Sequence, residues 1–179
     1  MKKQIAIFLL AGILGSCKTS TSPTSTSAIP TTPNTMIFTV TGTTDTSLTA
    51  YGADTTIYGI KGVGVAGAGV STASKTAFGA GFILGNITST GTYNVGTVAS
   101  LSNPLSYIVM FYSYVDTSGN NVKYSTPTTP GTNSVGTVVI TTLTATSIQG
   151  TFNGTLTLQS GNGPQTVTIA NGGVNATIK

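Results

Sequence analysis

Glutamate, arginine, histidine and tryptophan are absent from this chain of 179 residues. Aspartate occurs three times, as Asp45, Asp54 and Asp116, and cysteine once, as Cys17. Charged residues make up 6% of the chain, against about 25% in a typical soluble protein. Each absence excludes a class of chemistry. Without histidine, nucleophilic catalysis of the Ser–His or Cys–His kind has no base. Without histidine and with a single thiol, a zinc site lacks its usual ligands. Seven lysines and no arginine do not make the phosphate-neutralising surface that nucleic acid requires. A lone cysteine forms no intramolecular disulfide, so stability has to come from packing and sheet hydrogen bonding.

The residues that are present are β-formers and uncharged polar groups. Threonine occurs 37 times, and hydrophobic residues make up 39%. That is enough apolar surface for a core, so a disordered chain is not expected. Solubility rests on hydroxyls and amides, which gives little charge repulsion and makes aggregation a liability.

The N-terminus reads as an address. Lys2 and Lys3 form a positive start, and Ile5 to Leu14 form an apolar run of ten residues. A bilayer-spanning helix needs about 20 residues, but ten suit the apolar part of a signal peptide. Leu14-Gly15-Ser16-Cys17 resembles a bacterial lipobox, the motif whose cysteine is lipidated and becomes the first mature residue. The expectation is a lipoprotein signal peptide over 1–16 and a diacylglycerol thioether on Cys17. Several acyl chains, each methylene worth roughly 0.8 kcal/mol, anchor stably. After removal of Lys2 and Lys3, five lysines face three aspartates, a formal charge of +2. Residues 17–35 are rich in Ser, Thr and Pro and read as an extended tether. No acidic cluster follows Cys17, which favours the periplasmic face over surface export.

Residues 36–179 carry a period of two. Ile148, Gly150, Phe152, Gly154, Leu156 and Leu158 share one strand face, and Gln149, Thr151, Asn153, Thr155 and Thr157 the other. Met36, Phe38 and Val40 alternate in the same way. Further strands are expected over Ile60–Val70, Phe78–Ile87, Tyr93–Val98, Ser106–Val115, Val122–Ser125, Val135–Leu143 and Gln165–Ala170. Asn171-Gly172-Gly173 reads as a tight turn, with Val174, Ala176 and Ile178 as a last strand of a C-terminal meander. The fold class is therefore all-β: an antiparallel sandwich or small closed barrel of about eight to ten strands with no long helix.

Four features occur in order: Gly91-Thr92-Tyr93, the strand Val135–Thr141, Ile148-Gln149-Gly150-Thr151-Phe152, and Val167-Thr168-Ile169-Ala170-Asn171-Gly172. This resembles a group of small Bacteroidota lipoproteins with a Gly-x-Tyr segment, an Ile-x-Gly-Thr-Phe strand and a Val-x-Ile-x-Asn-Gly hairpin. The resemblance covers roughly the last half of the chain and implies a lipoprotein with an all-β domain. That group has no established activity to carry over.

The candidate sites are few. Ser71 or Ser74 with Lys75 is too generic for a catalytic dyad. The aspartates sit in turn-like contexts, where such side chains normally cap backbone. They offer neither a glycosidase pair nor a distinctive calcium site. Gly62-Val63-Gly64 and Gly67-Ala68-Gly69 lack the lysine and helix of a phosphate loop. No metal, cofactor or enzymatic activity is expected. Tyr112 and Tyr114 share a strand face and, with Tyr124, form a candidate platform for sugar rings; core packing with phenols at the rim is the competing reading. Asp54-Thr55-Thr56 resembles the Bacteroidota O-glycosylation pattern, which places a glycan on Thr55. The functional expectation is a lipid-anchored, non-catalytic binding or structural module of the cell envelope, outer membrane favoured, with an envelope protein or glycan as partner. The alternative is a surface-exposed glycan-binding or adhesion module.

Overall fold

The computed structural model describes residues 27–41, 43–57, 60–70, 77–96, 107–126 and 134–179. Among them the chain is all-β, with ten strands and no helix: β1 (Thr35–Val40), β2 (Thr43–Ile57), β3 (Ile60–Val70), β4 (Ala77–Gly85), β5 (Gly91–Val95), β6 (Tyr107–Val115), β7 (Asn121–Ser125), β8 (Gly136–Leu143), β9 (Ser147–Ser160) and β10 (Thr166–Ile178).

All ten strands belong to one sheet. Eight of them pair in a closed ring, β1–β2–β3–β4–β6–β7–β9–β10 and back to β1. Every step of the ring is antiparallel. Where β1 has ended, β10 reaches β2 directly in a short parallel contact, Thr177 opposite Tyr51 and Ile178 opposite Gly52. Closure pairs each ring strand on both sides over part of its length, while the first half of β6 and residues 53–57 of β2 have a ring partner on one side only.

Alternation explains what fills the ring. Inward positions of β1 supply Met36 and Phe38, those of β4 Phe82 and Leu84, those of β6 Ile108 and Met110, and those of β9 Ile148, Phe152 and Leu156, all buried. From β1, Phe38 reaches side chains of β4, β6 and β9. Its ring meets Phe78 and Tyr112 edge-on, each at 6.0 Å, and Phe152 at 6.3 Å. On the outside of β9, Asn153, Thr155 and Thr157 are exposed. The outer face of β9 is thus polar, whereas β3 exposes Ala66, Ala68 and Val70.

Between β6 and β9 the ring forks. β7 fills the gap at one end, pairing with the second halves of both strands. At the other end β8 pairs with the first half of β9 and β5 with β8. Gly96, just past β5, donates its N–H to Ile108 of β6 at 3.1 Å. Thr126 sits at the fork, 1% exposed. Its N–H donates to the Met110 carbonyl, and its Oγ1 accepts from the Met110 N–H, both at 3.0 Å. One threonine thus stands in for a missing strand partner. Thr126→Val leaves the buried Met110 N–H without an acceptor. The expected cost is about 1–3 kcal/mol, seen as a lower denaturant midpoint, with Thr126→Ser close to wild type.

Two sequence readings are corrected. Asn171-Gly172-Gly173 is not a turn. β10 runs through it, and the register shifts between Ile169 and Gly172 against β9. Asn171 takes a left-handed φ of 53° there. The motif is a bulge that bends a long strand, so the expected three-strand meander is two long strands. Asp45 and Asp54 are not in turns either. Both lie in β2, opposite Phe38 and Val63 respectively. Only Asp116 caps a turn.

The stretch leading into β1 is fastened to β10. Asn175 Nδ2 donates to the Pro30 carbonyl at 3.1 Å, and the Thr177 N–H donates to Asn34 Oδ1 at 2.9 Å. Ala28 lies so close over Gly173 that a Cβ there would meet its carbonyl oxygen. Among the described residues, contact with the domain is present from Ala28 on, inside the range read as tether.

Candidate functional site

β6 runs toward the end of the ring that carries the β1–β2, β6–β7 and β9–β10 connections. Its last inward positions, two residues apart and hence on one face, are Tyr112 and Tyr114. β7 returns beside it and places Tyr124 directly opposite Tyr112. The structure therefore brings the three sequence-predicted tyrosines together. Ring centroids are 5.8 Å apart for Tyr112–Tyr114, 6.2 Å for Tyr112–Tyr124 and 6.4 Å for Tyr114–Tyr124, the last pair within 18° of parallel.

They do not form an open platform. They face into the ring, where Tyr112 and Tyr124 are buried and Tyr114 is half-buried. Tyr112 also packs on Phe38 and Phe78 and belongs to the core. The sequence did not separate these outcomes because both faces of β6 are apolar or aromatic.

Tyr124 is the unusual member. It is 1% exposed, yet its hydroxyl has no hydrogen-bond partner among the described residues. Burial first, then the charge of the Tyr114 phenol and the closeness of its hydroxyl, which falls outside hydrogen-bond geometry, push its pKa from 10.0 up to about 12. The folded state thus holds this proton more tightly than the unfolded chain does. The stability it confers is whole below pH 10 and declines as pH rises from 10 through about 12. Tyr124→Phe is expected to lose that part of the alkaline decline. At pH 7 it should melt at or above wild type, because an unsatisfied buried hydroxyl has been removed. Melts of both proteins at pH 7, 10 and 11.5 check this.

The β9–β10 connection covers the cluster. It closes with the Leu158 N–H donating to the Gln165 carbonyl at 2.9 Å, and residues 161–166 beyond are exposed. Gly163 sits directly on the Tyr124 hydroxyl. A Cβ there would collide with that oxygen and come within 3.4 Å of the Tyr114 hydroxyl. The β7–β9 register also shifts between Lys123 and Tyr124. In sequence the Ser160–Pro164 glycine cluster reads as a turn, and nothing in it signals that it covers tyrosines.

Asp116, on the neighbouring turn, is engaged by its own loop. Its Oδ1 accepts from the N–H groups of Asn120 at 2.8 Å and Ser118 at 2.9 Å, and its Oδ2 accepts from Asn120 Nδ2 at 3.3 Å. These donors, the Asn120 N–H first, hold its carboxyl below the usual range. Asp54, in β2 and exposed, lies near the opposite end of the ring. Among the described residues no three His, Cys, Asp or Glu side chains gather as metal ligands. Thr55 lies in β2 opposite Gly62, and its side chain is outside the described residues. So are Cys17, Ser71, Ser74 and Lys75.

Comparison with family models, with curated proteins and with solved structures found no match to this chain.

Proposed function

We propose that the protein is a lipid-anchored, non-catalytic binding module of the bacterial cell envelope, held at the outer membrane through Cys17. The observation that carries this reading is the single cysteine placed directly after Leu14-Gly15-Ser16, behind a ten-residue apolar run and two lysines. The fold is compatible with tethering. The bonds from Asn175 to Pro30 and from Thr177 to Asn34 pass a pull on the tether to β10 in the ring, sparing the start of β1.

Protease treatment of intact and lysed cells tests the reading, with Cys17→Ala beside the wild type. The wild type should stay with the membrane fraction and resist digestion until lysis. Cys17→Ala should be lost from the membrane fraction. Membrane retention of Cys17→Ala would sink the anchor. Digestion in intact cells would move the domain to the surface.

A second reading, a surface glycan-binding or adhesion module, is favoured by one observation: the buried Tyr124 hydroxyl that lacks a partner beside two further phenols.

A further inference from the structure

We infer that the tyrosine end of the ring binds a neutral polyhydroxylated ring, one pyranose unit of a glycan, which enters when the Gly161–Pro164 loop lifts from Tyr124. This deepens the second reading above and rests on it.

The loop has the geometry of a cover. Gly163 seals the Tyr124 hydroxyl with no side chain of its own, at a distance that excludes any larger residue. Gly161, at φ 90°, packs against the Asn121 carbonyl. The loop itself is exposed, and lifting it uncovers the phenols and the Val122 side chain, which lies under Gly161 and Gly163. In the closed state the Tyr124 hydroxyl lacks a partner, which works against closure. A ligand that supplies the partner is thereby favoured in the open state.

The chemistry beneath the loop selects the ligand. Tyr114 and Tyr124 present two hydroxyls toward the same glycine and two nearly parallel ring faces. A pyranose offers hydroxyls that both donate and accept, and a C–H face that packs on aromatic rings. A proline-rich peptide offers carbonyl acceptors only. Among the described residues beside the cluster, the two charged ones do not face it: the Asp116 carboxylate is turned into its own loop, and Lys123, next to inward Tyr124 on β7, is exposed on the outer face.

The chain has no tryptophan and seven tyrosines, so emission comes from tyrosine alone, and the contribution of this cluster is read by comparison with Tyr124→Phe. The test titrates the full-length mature protein in detergent with cellohexaose, maltohexaose, N-acetylchitohexaose and, separately, deca-proline. Wild type should change emission with at least one of the three sugars and not with deca-proline. Tyr124→Phe should keep its melting midpoint and bind that sugar at least about tenfold more weakly, through the lost hydrogen bond. Gly163→Ala, whose Cβ props the loop open, should bind it a few-fold more tightly. A response to deca-proline alone would overturn the sugar assignment and leave a binding end. No response to any probe would overturn both the sugar assignment and the glycan-binding reading. Unchanged sugar affinity in a folded Tyr124→Phe would place binding elsewhere and overturn the site.

Discussion

Phe38→Ala is expected to destabilise the domain by about 3–5 kcal/mol. Phe38 is 1% exposed. Its ring meets those of Phe78, Tyr112 and Phe152. Those neighbours come from β4, β6 and β9, strands fixed in position by their own ladders, so the hole cannot close by local collapse. Two of its contacts are edge-on, the geometry in which aromatic pairs add about 0.5–1.5 kcal/mol beyond area burial. Urea unfolding followed by far-ultraviolet dichroism checks the value. Phe38→Leu, which keeps most of the volume, should recover more than half of it. An Ala variant within about 1 kcal/mol of wild type would mean that the interior is not packed around this ring.

Gly172→Ala is the second large effect, and its cause is the opposite. The added Cβ would meet the Phe152 carbonyl oxygen and lie 2.6 Å from two atoms of the Phe152 ring. A ring can tilt, but the carbonyl belongs to the β9 backbone. Relief therefore has to come from separating β9 and β10 at the bulge, where the register already shifts. Overpacking of this kind costs about 1–3 kcal/mol. Phe152→Leu in the same chain should recover only part of the loss, because the carbonyl contact persists. Full recovery would show that the ring alone sets the constraint.

The bulge also shows where the sequence stops being informative. Asn-Gly-Gly serves a hairpin turn and a strand bulge equally well, since both need left-handed or sterically open positions. The choice is made by β1 and β9, which pair with β10 on either side of it. β2 was missed for a related reason. Its 15 residues mix threonines with Asp45, Gly52 and Asp54, so no clean alternation appears. Pairing with β1 and β3 overrides the weak local preference. By contrast, the inner face of β9 was legible residue by residue. Ile148, Phe152 and Leu156 are buried as their spacing required, because one apolar face against a threonine-rich one leaves a single register that buries the core.

The candidate site was half legible. Spacing alone put Tyr112 and Tyr114 on one face. That Tyr124 lies across from them, and that all three point inward, depends on ring closure. Thr126 gave no local signal at all. Its role exists only because β6 and β9 diverge around it.

The most direct test of the account is the mass of the N-terminal peptide of the protein isolated from membranes. Lipidation predicts a peptide that begins at Cys17, lacks residues 1–16 and carries the added mass of a diacylglyceryl group. A mature chain that keeps Met1, or begins elsewhere with an unmodified Cys17 thiol, would contradict the anchor and the envelope role built on it.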